Sequence, residues 1–320
     1  MSGRRGTPDA ALAAEIALRV TGERPAAVHR FTTGAQHYVF EATFAGRDPV
    51  VVRIGGSTAH REMEGARHLS GLLRPLGVPL PAVLAENVRA DLPWLVLERL
   101  RGTDLGDVIA GLADTALDRI AAAIAAAQAI VAGTRSAGRY GYAARPEEAP
   151  HERWSGVLED SLARSHGRMA AAGLFDLALV EMVRAALDGL RGEIERVPAT
   201  PFLHDTTTKN VIVTDDGALS GIVDVDDLCF GDPRYAPALT LAALMGYGGP
   251  VRYVSAWMKH AGQADDALFR LYVAMFLVDL MSEHGHTFNG NQRPSNPRQR
   301  TVLLEALEAN LSLVVAGSPG

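Results

Sequence analysis

Apolar positions recur at helical spacing in residues 9 to 20, "DAALAAEIALRV", and predict a short helix ending near Gly22. From Val28 to Ile54 the period changes: "HYVFEATFAG" and "PVVVRIGG" are rich in β-branched and aromatic residues with Gly between them, which predicts a hairpin. In "STAHREMEGARHLSGLLRPLG", Met63, Ala66, Leu69, Leu72 and Leu73 fall on one face of an amphipathic helix that ends before Pro75 and Gly77. "VPLPAVLAEN" and "PWLVLERLRG" follow as extended segments, the second around a buried-strand core "WLVL". Beyond the opening helix, the first 100 residues therefore predict the order β-β-α-β-β.

After "RGTDLGDV" the pattern turns helical, over 116 to 132, 151 to 172, 175 to 195, and in a tail from about 235 to 316. One β island interrupts it, "VIV", a "TDDG" turn, then "GIVDV". "YGYAARPEEAP" at 140 to 150 and "NGNQRPSNPRQR" at 289 to 300 are expected to be loops from their Gly, Pro and Asn content. The pattern predicts two parts, residues 1–101 and 102–320, with a seam near Gly102.

The chain of 320 residues, 48% hydrophobic and 21% charged, has a globular composition with enough apolar residues for a large core. A net charge of -6, from 31 Lys+Arg against 37 Asp+Glu, shows no footprint for nucleic acid, and no nucleic-acid partner is expected. The single Cys229 excludes an intramolecular disulfide framework and fits a reducing, cytoplasmic setting. Neither a signal-peptide core nor a run of about 18 apolar residues stands out, so no membrane association is expected.

The β island carries the chemistry. Residues 202 to 227 hold one His and six Asp among apolar runs, and an ionised group taken out of water costs several kcal/mol unless something pairs with it. Asp215 and Asp216 solvate the "TDDG" turn. Asp205, Asn210 five residues later, and Asp224 after the next strand are spaced as phosphoryl transfer from a nucleotide requires. One carboxylate orients the attacking hydroxyl and takes its proton. An amide oxygen and a second carboxylate offer the hard oxygen ligands that suit Mg2+.

"HDTTTKN", "GIVDVDD" and "FGDP" together resemble the aminoglycoside phosphotransferase and choline kinase-like family of small-molecule kinases. The resemblance implies an α+β, bilobal protein-kinase-like fold, with an N-terminal β-sheet lobe carrying one main helix and a larger, mostly helical C-terminal lobe. It implies Asp205 as the catalytic residue, Asn210 and Asp224 as Mg2+ ligands, ATP or GTP as phosphoryl donor, and a small-molecule hydroxyl as acceptor. Gly34 in "TTGAQHYVF" resembles the phosphate-covering loop. Arg53 in "VVVRI" falls where such folds carry the strand cation, with Glu62 as its expected helix partner and Glu64 as competitor. "LVLERLRG" resembles the hinge, whose backbone at Glu98 and Leu100 would meet the adenine edge.

Three positions depart from the family pattern. Leu203 stands where the family has His, with His204 next to Asp205; the strand cation is Arg rather than Lys; and Ala236 follows "GDPRY" where an acidic residue is common. The His204-Asp205 pair also suggests a metal-dependent phosphohydrolase, but those folds are all-helical and here a β hairpin follows at once. A nucleotide-binding relic without catalysis is the other alternative. For the acceptor, Asp279 and Glu283 lie four residues apart on one helical face, near His284 and His286. With Glu147, Glu148 and Glu152 they would form an acidic rim suited to an aminoglycoside. Trp154 and Phe288 would instead line a pocket for a macrolide or another less charged acceptor. A metabolite kinase of choline, homoserine or amino-sugar type is the alternative, as a monomer or dimer.

Overall fold

The computed structural model describes residues 7–31, 37–288, 291–292 and 295–317. Helix α1 (Ala10–Thr21) starts where the Asp9 carboxylate accepts the Leu12 amide at 2.8 Å, and stops at Gly22, whose φ of 73° favours glycine. Strands β1 (Ala27–Arg30), β2 (Tyr38–Thr43) and β3 (Val50–Ile54) precede α2 (His60–Leu73), and β4 (Val83–Asn87) and β5 (Trp94–Glu98) follow it. They form one antiparallel sheet in the order β1-β2-β3-β5-β4. The expected hairpin thus gains β1, a half-exposed edge strand too short to show an alternating pattern.

Alternation along β3 decides what this sheet presents. Val50, Val52 and Ile54 pack with Phe40, Trp94 and Ile16 of α1 on one face. Leu95 packs with Met63 and Ala66 of α2 on the other. Arg53, between Val52 and Ile54, points with its neighbour Leu95 to the α2 face yet is only 4% exposed.

The rest of the chain comprises β6 (Thr103–Asp104), α3 (Leu105–Val108), α4 (Asp114–Ala132), β7 (Gly141–Ala143), α5 (Trp154–Ala172), α6 (Ala178–Gly189), α7 (Arg191–Ile194) and β8 (Thr200–Phe202). Then come β9 (Val211–Val213), β10 (Leu219–Ile222), β11 (Leu228–Gly231), α8 (Tyr235–Tyr247), α9 (Arg252–Ala261), α10 (Ala267–Ser282), β12 (Thr287–Phe288), β13 (Asn291–Gln292) and α11 (Pro297–Gly317). Helix α10 is buried nearly all round and packs against α5, α8 and α11, as a helix apolar on every side does.

Two expected loops contain regular structure. Residues 141–143 form β7 because β11 supplies a partner distant in sequence. Residue 297 opens α11, a position that suits Pro, whose missing N–H is not needed in the first turn. Helix α4 is long and apolar enough to cross a membrane by length and composition, which the sequence reading had not noted. Here it packs against α9 and β8, with Ile120, Ala121 and Ile124 fully buried.

At the seam, Gly102 has φ 106°, and a Cβ there would lie 2.0 Å from the Val213 carbonyl oxygen. Only glycine lets the chain pass β9 this closely while turning.

Candidate active site

The loop from β8 to β9 carries Leu203 to Asn210. Its fixed point is Gln128 of α4, a residue that the sequence reading missed. The buried Gln128 amide nitrogen donates to the Leu203 carbonyl at 2.8 Å and to Thr206 Oγ1 at 3.2 Å. Its oxygen accepts the Leu203 N–H at 2.9 Å. Leu203 stands where the family pattern has His, and here backbone bonds to Gln128 hold that position. A lone Gln in an Ala-rich helix gives no periodic signal of this role.

Beyond this anchor, Asp205 Oδ1 accepts from Thr207 Oγ1 at 2.9 Å. Asn210 Nδ2 donates to the Asp205 carbonyl at 3.0 Å, leaving Oδ1 as the acceptor end of its amide. The Asn210 carbonyl accepts the Val223 N–H at 2.9 Å, which ties the loop to the segment carrying Asp224. The His204 ring sits edge-on to Tyr142, with centroids 4.9 Å apart.

Strand β10 ends at Ile222, shorter than "GIVDV" suggested, because Asp224 has φ 62°. Asp tolerates the left-handed region better than most residues. That twist brings two carboxylates to Arg53. Arg53 Nη1 donates to Asp226 Oδ1 at 2.6 Å and Nη2 to Asp226 Oδ2 at 2.5 Å, a bidentate pair, while Asp224 Oδ1 lies 2.9 Å from Nη2. His37 Nε2 reaches Asp226 Oδ2 at 3.0 Å.

Desolvation pushes the Asp226 carboxyl up, but the Arg53 charge and the His37 and Arg53 bonds outweigh it and leave it at about 2. Asp224 is raised instead: desolvation comes first, and Asp226 and Asp205 add to it against Arg53. Asp226, Asp224 and Glu62 thus act on the buried Arg53, while Asp205 adds its charge at Asp224 and Asp227 lies within reach of Asp226 and His204.

The expected Arg53–Glu62 pair is not formed. Arg53 gives its fork to Asp226, and among the described residues Glu62 Oε2 and Arg53 Nε are buried without a partner. The competitor Glu64 turns to Arg145, at 2.8 and 3.0 Å, and to Arg67 at 3.0 Å, which holds its carboxyl at about 2. Spacing on α2 separates Glu62 from Glu64 but cannot show that a carboxylate 173 residues from Arg53 arrives first. At the hinge, the Glu98 N–H donates to the Ala82 carbonyl at 2.9 Å. The Leu100 carbonyl accepts from Arg99 Nη1, and Leu100 Cδ1 would meet a Cβ on Gly221 at 2.7 Å. Gly34 lies outside the described residues.

The two metal-ligand candidates fit Mg2+ by donor type, one amide oxygen and one carboxylate, the rest of its shell being left to water and phosphate. Among the described residues, no group of three or more His, Cys, Asp or Glu side chains is arranged to hold a metal. The Asp224 carboxylate, with 53% of its side chain exposed, and the Asn210 Oδ1 left as an acceptor are the features that favour a cation there.

The acidic rim is largely paired within the chain. Asp279 accepts from Ser165 Oγ at 2.9 Å, with Arg164 and Arg168 at 3.9 and 3.8 Å. Glu147 pairs with Arg135, and Glu148 with Arg145 at 3.5 Å; Glu152 is exposed. Glu283 ends α10. His284 is buried with Nδ1 3.1 Å from Ser295 Oγ, and His286 Nε2 is 3.0 Å from the Arg168 carbonyl. Trp154 lines no pocket: it is 1% exposed, donates to the Tyr272 hydroxyl at 2.9 Å, and packs where a Cβ on Gly231 would strike it at 2.3 Å. The Phe288 side chain lies outside the described residues.

Asp232 of "GDP" is structural. It takes Arg234 Nη2 at 2.7 Å and the Tyr272 hydroxyl at 3.0 Å, joining the start of α8 to α10, while Ala236 is fully buried.

A family model for the phosphotransferase enzyme family (APH) matches residues 27–272, and the chain belongs to that family. No curated protein matches the chain. Among solved structures, the chain is similar to aminoglycoside phosphotransferase APH(4)-Ia, with 17% identity, TM-score 0.66, and 98% of this chain and 100% of that one covered. A thermostable mutant of the same protein, in ternary complex with AMP-PNP and hygromycin B, aligns at 18% identity and TM-score 0.64, over 96% and 99% of the two chains. The GDP and kanamycin complex of an APH(2")-type enzyme aligns at 17% identity and TM-score 0.64, over 95% and 97%. These likenesses show the α+β, protein-kinase-like fold.

Proposed function

We propose that this phosphotransferase-family chain moves the γ-phosphoryl group of ATP or GTP to a hydroxyl of a small molecule. The observation that carries the reading is the hydrogen-bonded path from Asp205 through Asn210 to the segment of Asp224. Asp205 would aim the acceptor hydroxyl and take its proton. Asn210 and Asp224 would hold Mg2+, which supplies neutralisation of the β- and γ-phosphates. Arg53, with Glu62 nearby on α2, would bind the phosphates; Gly34 would lie in the loop that covers them. At the hinge, the Glu98 carbonyl and the Leu100 N–H would meet the base edge, since the Glu98 N–H donates to the Ala82 carbonyl. Residues 1–101 then form the nucleotide lobe and 102–320 the catalytic and acceptor lobe, in a cytoplasmic setting that suits the buried, unpaired Cys229.

For the acceptor, the names of the solved neighbours support an antibiotic such as an aminoglycoside, with a macrolide as the less charged option. A second reading, a metabolite kinase, is favoured by the arginines beside Asp279, Glu147 and Glu148, which already neutralise carboxylates that a polyamine would need. The test is a phosphorylation screen of aminoglycosides, macrolides, choline, homoserine and amino sugars with a coupled nucleoside-diphosphate readout. Turnover confined to one class assigns the acceptor; absence of transfer to every class, with nucleotide still bound, contradicts the kinase reading.

A further inference from the structure

Resting on that reading of the nucleotide site, we infer that Asp226 is an internal competitor of the nucleotide's phosphates: it fills the Arg53 fork when no nucleotide is bound and gives it up when phosphates arrive. A bidentate carboxylate on Nη1 and Nη2 occupies the same face of a guanidinium that a phosphate takes with two parallel bonds. Asp224 holds Nη2 as well, so phosphates take the Nη1–Nη2 face of Arg53 only by exchange; Nε, without a partner among the described residues, is buried.

The two carboxylates differ in how firmly they sit. The Asp224 side chain is 53% exposed and meets Arg53 through Nη2 alone, whereas that of Asp226 is 13% exposed, takes both Nη1 and Nη2, and is also reached by His37. The Asp226 backbone is fixed too. A Cβ on Gly65 would lie 2.3 Å from the Asp226 carbonyl oxygen, so α2 rests directly on that peptide. Exchange therefore proceeds by rotation of the Asp226 side chain rather than by movement of the loop. Glu62 Oε2, buried and unpartnered on the same helix, supplies the counter-charge that lets Arg53 leave Asp226.

A merely structural Asp226, one that presents Arg53 to the phosphates, predicts the opposite sign when it is neutralised. The test measures equilibrium binding of a fluorescent ADP analogue in Mg2+-free buffer. Asp226→Asn is expected to bind about three- to tenfold more tightly than wild type, because the fraction of Arg53 free to meet phosphates rises. A second measurement uses the wild-type protein with 15N-labelled arginine, the Arg53 signals being assigned by their loss in Arg53→Lys. The Nη resonances should shift on saturation with ADP. Equal or weaker binding by the folded variant, or Arg53 Nη signals unmoved at saturating ADP, overturns the inference. Failure of the wild type itself to bind any nucleotide overturns the kinase reading and this inference with it, so the two failures are distinguishable.

Discussion

Replacing Gln128 with Met keeps the volume of the side chain and removes its polar end, so the cavity penalty is small and the lost bonds dominate. The N–H and C=O of Leu203, which is 2% exposed, would both lose their partner, and Thr206 Oγ1 would lose a donor. Each buried group left unsatisfied costs about 1–3 kcal/mol, so the two backbone groups together predict a loss of about 2–6 kcal/mol. For a chain of 320 residues that corresponds to a fall in Tm of roughly 3–9 °C. The Leu203 peptide leads into the loop that carries Asp205. Displacement of that carboxylate by about 1 Å should lower turnover by about 10²-fold in the fraction that remains folded. Urea unfolding gives the first quantity and a coupled ADP assay below the transition gives the second. Stability within about 0.5 kcal/mol of wild type, together with unchanged turnover, would refute the anchoring role, since surface-like changes fall in that range.

Asp224→Asn should abolish detectable turnover at saturating Mg2+ with the fold intact by circular dichroism; near-normal rates would remove Asp224 from the mechanism. Gly65→Ala should cost about 1–3 kcal/mol by overpacking α2 against the Asp226 carbonyl and should weaken nucleotide binding, whereas a stabilised variant would show that the approach is looser than 2.3 Å. The Asp226 and Glu64 carboxyls are both held at about 2, below the ordinary values of about 3.9 and 4.3. Their contribution to stability is therefore fully present above about pH 5 and lost as pH falls toward 2. Denaturant unfolding should show that decline, and a flat profile over this window would contradict both pairings.

The hydrophobic pattern made most of the framework legible: α1, α2, β2 to β5 and the long helices appear within a few residues of their expected positions, because most of them carry a run of apolar residues that is buried on one face or, in α10, nearly all round. Short strands such as β7 and β8 were not legible, since three residues carry no period and their partner, β11, lies far along the chain. Asp205, Asn210 and Asp224 could be picked out because their spacing is local to one hairpin, and the structure ties their segments together. Their roles rest on the tests proposed here. Partners decided by tertiary arrival were invisible. Alternation along "VDVDD" would place Asp226 on the same strand face as Asp224, but strand β10 stops at Ile222, and φ 62° at Asp224 redirects the segment onto Arg53. For the same reason composition could not show that arginines from α5 reach Asp279, or that Trp154 closes a core rather than a pocket.

The most direct test of the central claim is turnover and nucleotide affinity of Asp205→Asn, measured beside His204→Ala with an acceptor that the wild type phosphorylates. A carboxylate within reach of a weakly nucleophilic hydroxyl contributes about 10²–10⁴-fold, so Asp205→Asn should lose that factor while its nucleotide affinity, set by Arg53, Asn210 and Asp224, stays within about twofold. His204→Ala should lose less, because the His204 ring packs edge-on against Tyr142. Unchanged turnover in Asp205→Asn, with collapse in His204→Ala, would contradict the account.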